Sequence, residues 1–299
     1  MVTRRAICTL LTLSALASLP TLFACGAAVA RAQDQFAQPD ITTVNPANHC
    51  TLASLKGAYG GHSEGTIVAQ LPGLPPPPFP WAGVALHEYD GAGNVRITYA
   101  LSLGGNPVPW GTTAIGTYTI TGNCLVSVTI SEDPLMGPWH FQGQILGWGM
   151  FQKAHFMYTD PYMVGFGAIE RTPVGGCSRR LLRGTYAIVG QGTDVSVPLP
   201  GFSPPFPMGH LATLTVDGAG NITGEGEEDT AGFAFPATYT GTYTVNPDCI
   251  VSFAISDTAL GTTMTIPMQG VITGEGEFQQ IHTIVTVPGQ VFSDTGTKE

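Results

Sequence analysis

Hydrophobic and polar residues alternate along most of this chain with a period of two. In Cys124-Leu-Val-Ser-Val-Thr-Ile130, Cys124, Val126, Val128 and Ile130 share one face, and Leu125, Ser127 and Thr129 share the other. Far downstream, Cys249, Val251, Phe253 and Ile255 repeat the first face against Ser252, Ala254 and Ser256. Such alternation marks a strand with one side in a core and one in water. Over residues 50–172 it predicts about eight strands, near 57–69, 81–89, 94–103, 112–121, 124–131, 138–147, 149–158 and 163–171. No stretch carries a helical period. The 39 glycines, 24 prolines and low charged fraction (11%) suit many short strands joined by tight turns.

The pattern repeats. At an offset of 127 residues Cys50 meets Cys177, L-K-G-A-Y (55–59) meets L-R-G-T-Y (182–186), and D-G-A-G-N (90–94) meets D-G-A-G-N (217–221). GTYTITGNCLVSVTIS (116–131) meets GTYTVNPDCIVSFAIS (241–256) after a two-residue deletion, and 143–161 meets 270–288. Two proline-rich stretches, LPGLPPPPFPW (71–81) and LPGFSPPFPM (199–208), also correspond. The chain is thus two copies of one module, 50–172 and 177–299, joined by a short linker at 173–176. So short a linker favours contact between the modules. DGAGN lies between strand-like runs in both copies and reads as a hairpin turn; the spaced acids of a calcium loop are missing.

Eight short antiparallel strands per module predict an all-β chain of two tandem meander barrels, because closure removes exposed edges; two β-sandwiches are the alternative. The cysteine with L-x-G-x-Y, then D-G-x-G-N, then G-T-Y-T-V-N-P-D-C, resembles a family of uncharacterised exported bacterial proteins. These are similar in outline to calycin (lipocalin-type) or allene oxide cyclase-like barrels. The resemblance covers both copies, the second more closely. It implies export and a small barrel. It brings no established activity, so no catalytic residue is carried over.

The N-terminus reads as a signal peptide over 1–32, with Arg4 and Arg5 before an apolar run from Ala6 to Ala24 and A-x-A sites at 28–30 and 30–32. A linker follows at 33–49. Leu22-Phe-Ala-Cys25 also resembles a lipoprotein box, so Cys25 is a lipidation candidate and outer-membrane anchoring the alternative to a free periplasmic or extracellular protein. Without residues 1–32 the chain keeps eight bases against 21 acids and no segment that would span a bilayer, which argues against nucleic acid as a partner. Four cysteines remain, as an exported disulfide protein requires. The repeat pairs them as Cys50–Cys124 and Cys177–Cys249.

Chemistry is sparse. No nucleophile elbow, zinc-protease helix or phosphate loop is present, and no metal, cofactor or catalytic residue is assigned. The acidic run Glu225, Glu227, Glu228 and Asp229 reads as a solvated strand end. All four tryptophans and most of the histidines lie in the first module, so a small apolar or aromatic ligand is expected chiefly there. The lining candidates are Trp81, His87, Tyr89, Trp110, Phe151 and His155, with His155 and His282 pointing inward if strand parity holds. Trp148 and Met150, replaced by Glu275 and Glu277 in the second copy, are expected outside as a contact surface. The proline stretches read as rigid connections packed by Leu71, Leu74 and Phe79, or by Leu199, Phe202 and Phe206, as rims over a cavity, or as ligands for a proline-binding partner.

Overall fold

The computed structural model describes residues 50–71, 73–147, 149–196 and 203–299. The expected leader, Cys25, the 33–49 linker, Leu199 and Phe202 lie outside the described residues.

Both modules are closed eight-stranded antiparallel barrels. The first comprises β1 (Gly57–Ile67), β2 (Phe79–Tyr89), β3 (Asn94–Leu103), β4 (Asn106–Ile120), β5 (Leu125–Glu132), β6 (Trp139–Leu146), β7 (Lys153–Tyr158) and β8 (Met163–Arg171). The second comprises β9 (Gly184–Asp194), β10 (Phe206–Val216), β11 (Asn221–Thr230), β12 (Phe233–Val245), β13 (Ile250–Ala259), β14 (Thr262–Thr273), β15 (Gln280–Val285) and β16 (Gln290–Lys298). Strands follow one another around each wall, and the last pairs with the first. The DGAGN turns join β2 to β3 and β10 to β11. In each, the aspartate accepts backbone N–H bonds across the turn, for example Ala92 N to Asp90 Oδ1 at 2.7 Å and Ala219 N to Asp217 Oδ1 at 2.7 Å. These bonds hold both carboxyls below their usual range, Asp90 at about 2.

One end of each barrel is plugged. A short 3₁₀ turn, Leu52–Leu55 or Arg179–Leu182, folds across it and buries Leu55 or Leu182 completely. Below the plug, Tyr59 Oη donates to Gln152 Oε1 (2.7 Å), and Tyr186 Oη donates to Gln279 Oε1 (2.6 Å). The disulfides Cys50–Cys124 and Cys177–Cys249 tie each plug to the start of its fifth strand, the pairing that the repeat implies. The proline stretches leave β1 and β9 at the other end. In the first copy Leu71, Leu74 and Phe79 join the core, as the rigid-connection reading expects; in the second Phe206 is buried.

The barrels dock side by side. Ala82, Val84 and Ala100 of the first pack against Ile284 and Val291 of the second, with Trp110 alongside. Gly60 lets β1 approach β14, since a Cβ there would collide with Val271. Polar groups close the seam. Ser102 Oγ donates to Gln290 O (2.6 Å), Gln191 Nε2 to Glu64 Oε1 (2.7 Å) and Gly289 N to Gly105 O (2.7 Å). The rings of His62 and His282 meet with their Nδ1 atoms 3.1 Å apart.

Each disulfide spans a separation of 74 or 72 residues, so the chain-entropy relation assigns it about 4 kcal/mol. Cys50→Ser with Cys124→Ser should lower the urea-unfolding free energy of the first barrel by about that amount. An unchanged midpoint would show that the plug holds without its covalent tie.

Candidate functional site

The first barrel has almost no free interior. Trp81, His87 and Tyr89 are buried in the core, and Trp81 and His87, with Tyr99, Trp139 and Tyr158, border a void of only about 30 Å³. That is room for one or two waters. Phe141 packs against Trp139 and Phe156 at centroid distances of 5.5 and 4.9 Å. His87 is fully enclosed, 3.4 Å from Tyr89 Oη, and desolvation pulls its imidazole down to about 3. The aromatic enrichment that suggested a ligand site is itself the filling.

Three of the expected lining residues lie elsewhere. Residues 149–151 form a 3₁₀ turn rather than the start of the seventh strand. That turn changes the parity: Ala154, Phe156 and Tyr158 face inward, and His155 is exposed. Phe151 sits outside and meets Phe278 of the second barrel edge-on at 5.0 Å. Trp110 lies in the seam, its backbone N–H donating to Gln269 Oε1 (2.7 Å). His282 points away from its own lumen too, because Ile281, Thr283 and Val285 take the inward positions; it is buried against His62 instead. Trp148 lies outside the described residues, as does the side chain of Met150.

The second barrel is hollow. At six positions where the first has Trp81, Tyr99, Trp139, Phe141, Phe156 and Tyr158, it has Met208, Gly226, Ile266, Met268, Thr283 and Val285. The result is a cavity of about 120 Å³ with mostly apolar walls, reaching the barrel end at Asp229, Thr230 and the exposed Met264.

Into this cavity project groups with no counterpart in the first barrel. Glu228 stands where the first has Leu101, His210 where it has Gly83, and Asp294 where it has Gly167. Asp257 joins them from β13. Tyr239 Oη donates to Glu228 Oε1 (3.1 Å), and Thr283 Oγ1 donates to Asp294 Oδ2 (3.3 Å). His210 Nδ1 lies 3.3 Å from Asp294 Oδ1, within ion-pair range but without hydrogen-bond geometry. The Asp294 carboxylate leans over the β9 backbone at Gly190, where any Cβ would strike it. Burial and the neighbouring Asp257 carboxyl push Glu228 up to about 7; burial also raises Asp257 and Asp294. Asp257 and Asp294 are each only 4% exposed, and each keeps one oxygen without a hydrogen bond. Among the described residues no group of three or more side chains is arranged to hold a metal ion.

Glu228 therefore corrects the reading of the acidic run as wholly solvated. Glu225 and Glu227 do face water. Glu228 shares the parity of Ile222, and that signal was present in the sequence. Asp257, Asp294 and His210 carried no comparable signal.

No protein-family model matches the chain, and no curated protein matches it.

Two titrations test the interiors. Between its ordinary value near 4.5 and about 7, Glu228 holds a proton in the fold that the unfolded chain has released, so its share of stability is lost as pH rises. Glu228→Gln should therefore gain melting temperature relative to the unsubstituted protein on going from pH 5 to pH 8. His87 acts in the opposite sense. It stays neutral in the fold down to about 3, so stability is lost as pH falls below about 6.5. His87→Leu, the residue of the second copy, should weaken the acid sensitivity of unfolding monitored by circular dichroism. A parallel pH profile in either variant would refute the corresponding assignment.

Proposed function

We propose that this is an exported binding protein whose second barrel holds one small, largely apolar ligand. The cavity of about 120 Å³ in that barrel, beside a first barrel built the same way but filled, carries the reading. Its size is close to that of an engineered apolar cavity of roughly 150 Å³ that takes up benzene. A molecule of six to eight heavy atoms is the expected occupant. Bulk favours the second module over the first as the site. Burying one aromatic side chain contributes about 1.5–3 kcal/mol, and the first barrel has taken that stabilisation where the second has left room. The leader-like N-terminus, the two disulfides and the acidic surface support export. The duplicated barrel, with its outline likeness to calycin-type proteins, is consistent with one filled copy supporting a hollow one.

The test uses the first barrel as its template. Met268→Phe with Val285→Tyr installs the residues found at those positions in the filled copy. Toluene should bind the unsubstituted protein at one saturable site in titration calorimetry, with shifts confined to second-barrel resonances in NMR. Tryptophan fluorescence is a poor reporter of it, since no tryptophan lines this cavity. The double variant should fold and lose binding at least tenfold. Equal binding in the filled variant would place the ligand elsewhere.

A further inference from the structure

The cavity is not purely apolar, and its polar part is mostly acidic. Its titratable lining is His210 from β10, Glu228 and Asp229 from β11, Tyr239 from β12, Asp257 from β13, Asp294 from β16 and Tyr186 from β9. No lysine or arginine is among the lining residues. Asp257 Oδ1 is enclosed without a hydrogen-bond donor, and Asp294 Oδ1 has only the poorly aligned His210 Nδ1, 3.3 Å away, beside it. Leaving buried carboxyl oxygens unmatched costs stability, and binding sites do so when a ligand supplies the match. Tyr239, Phe253 and Phe292 add aromatic faces that attract a cation.

We infer that the ligand is a small amine, its ammonium held by Asp257 and Asp294 and its apolar body against the β13–β15 wall. This rests on the binding reading above and specifies the ligand's chemistry. Three carboxyls beside one histidine cannot all stay ionised without a partner. An ammonium lets the proton shared by Glu228 and Asp257 leave to solvent as the ligand enters. Affinity therefore rises with pH through about 7.

Benzylamine and toluene separate the two levels. At pH 8 benzylamine should bind at least tenfold more tightly than toluene. At pH 6, calorimetry in buffers of different ionisation enthalpy should show about one proton released per benzylamine and none for toluene. Asp257→Asn and Asp294→Asn should each erase the preference for benzylamine over toluene. Toluene binding as well as benzylamine would overturn the amine and leave the cavity reading standing. Failure of both to bind would overturn both.

A second observation carries an independent inference. The duplication makes the barrel–barrel seam a heterologous contact: the β15–β16 face of the second barrel sits on the β1–β3 face of the first. The corresponding faces at the two ends are exposed: that of the first barrel is largely apolar, and that of the second sets apolar side chains on β9 and β10 beside the outward carboxylates Glu225 and Glu227 of β11, Glu227 at the position of Ala100. On the first barrel, Met157, Val164 and Phe166 are 60%, 64% and 64% exposed, at the positions of Ile284, Val291 and Ser293 in the seam. On the second, Val189 and Leu211 are 59% and 61% exposed, at the positions of His62 and Val84. We propose that a second copy of this chain docks there, its β7–β8 face on the β9–β11 face of the first copy, extending the intramolecular contact head to tail. Sedimentation velocity should show open-ended, concentration-dependent oligomers. Phe166→Asp and Leu211→Asp should each be monomeric alone and give only dimers when mixed, since each keeps the face the other lacks. A monomer at every concentration, or mixed variants that stay monomeric, would overturn the proposal.

Discussion

Closing eight strands into a barrel sets the width of the interior before any side chain is chosen. Everything else in this molecule follows from how each copy meets that constraint. The wall bonds are nearly the same in the two barrels, down to the plug, the tyrosine–glutamine bond beneath it and the disulfide that ties it down. What differs is bulk. Six positions carry large aromatics in one copy and small or flexible residues in the other, and the interior shrinks from about 120 to about 30 Å³ accordingly. One copy is a packed core. The other is a container.

The container's chemistry follows from the same enclosure. Carboxyls in water repel little and stay ionised. Placed in an apolar lumen near the ends of β11 and β13 and midway along β16, they lose solvation and press on one another. Their charge then depends on their neighbours and on pH. The space for Asp294 comes from a glycine on β9, and His210 occupies a position that is glycine in the filled copy. Small local exchanges of this kind convert a filled interior into one that holds titratable groups beside open space.

The seam gives the duplication a second consequence. An apolar outer face on a strand is a liability unless covered. The second barrel covers its β15–β16 face against the first, with Ile284 and Val291 on Val84 and Ala100 and a histidine pair beside them. A head-to-tail contact between like modules always leaves one unmatched face at each end. The exposed Met157, Phe166 and Leu211 are those ends.

The sequence by itself determined the two modules, their all-β character, the strand spans apart from the seventh and the start of the fourth, the hairpin turns and the disulfide pairing. Period-two alternation and turn chemistry are local, and a repeat reports its own symmetry. It also showed that the copies differ in tryptophan, histidine and acid content. Only the tertiary structure decided what that difference means. A three-residue turn at 149–151 moved His155 outside and Phe156 inside, and a parity count across a mistaken strand boundary cannot see this. His282 is buried and Trp110 partly buried between barrels, where an outward position mimics a core one. Whether aromatic side chains line a cavity or fill it depends on the summed volume of facing residues from eight strands. That sum exists only once the sheet has closed.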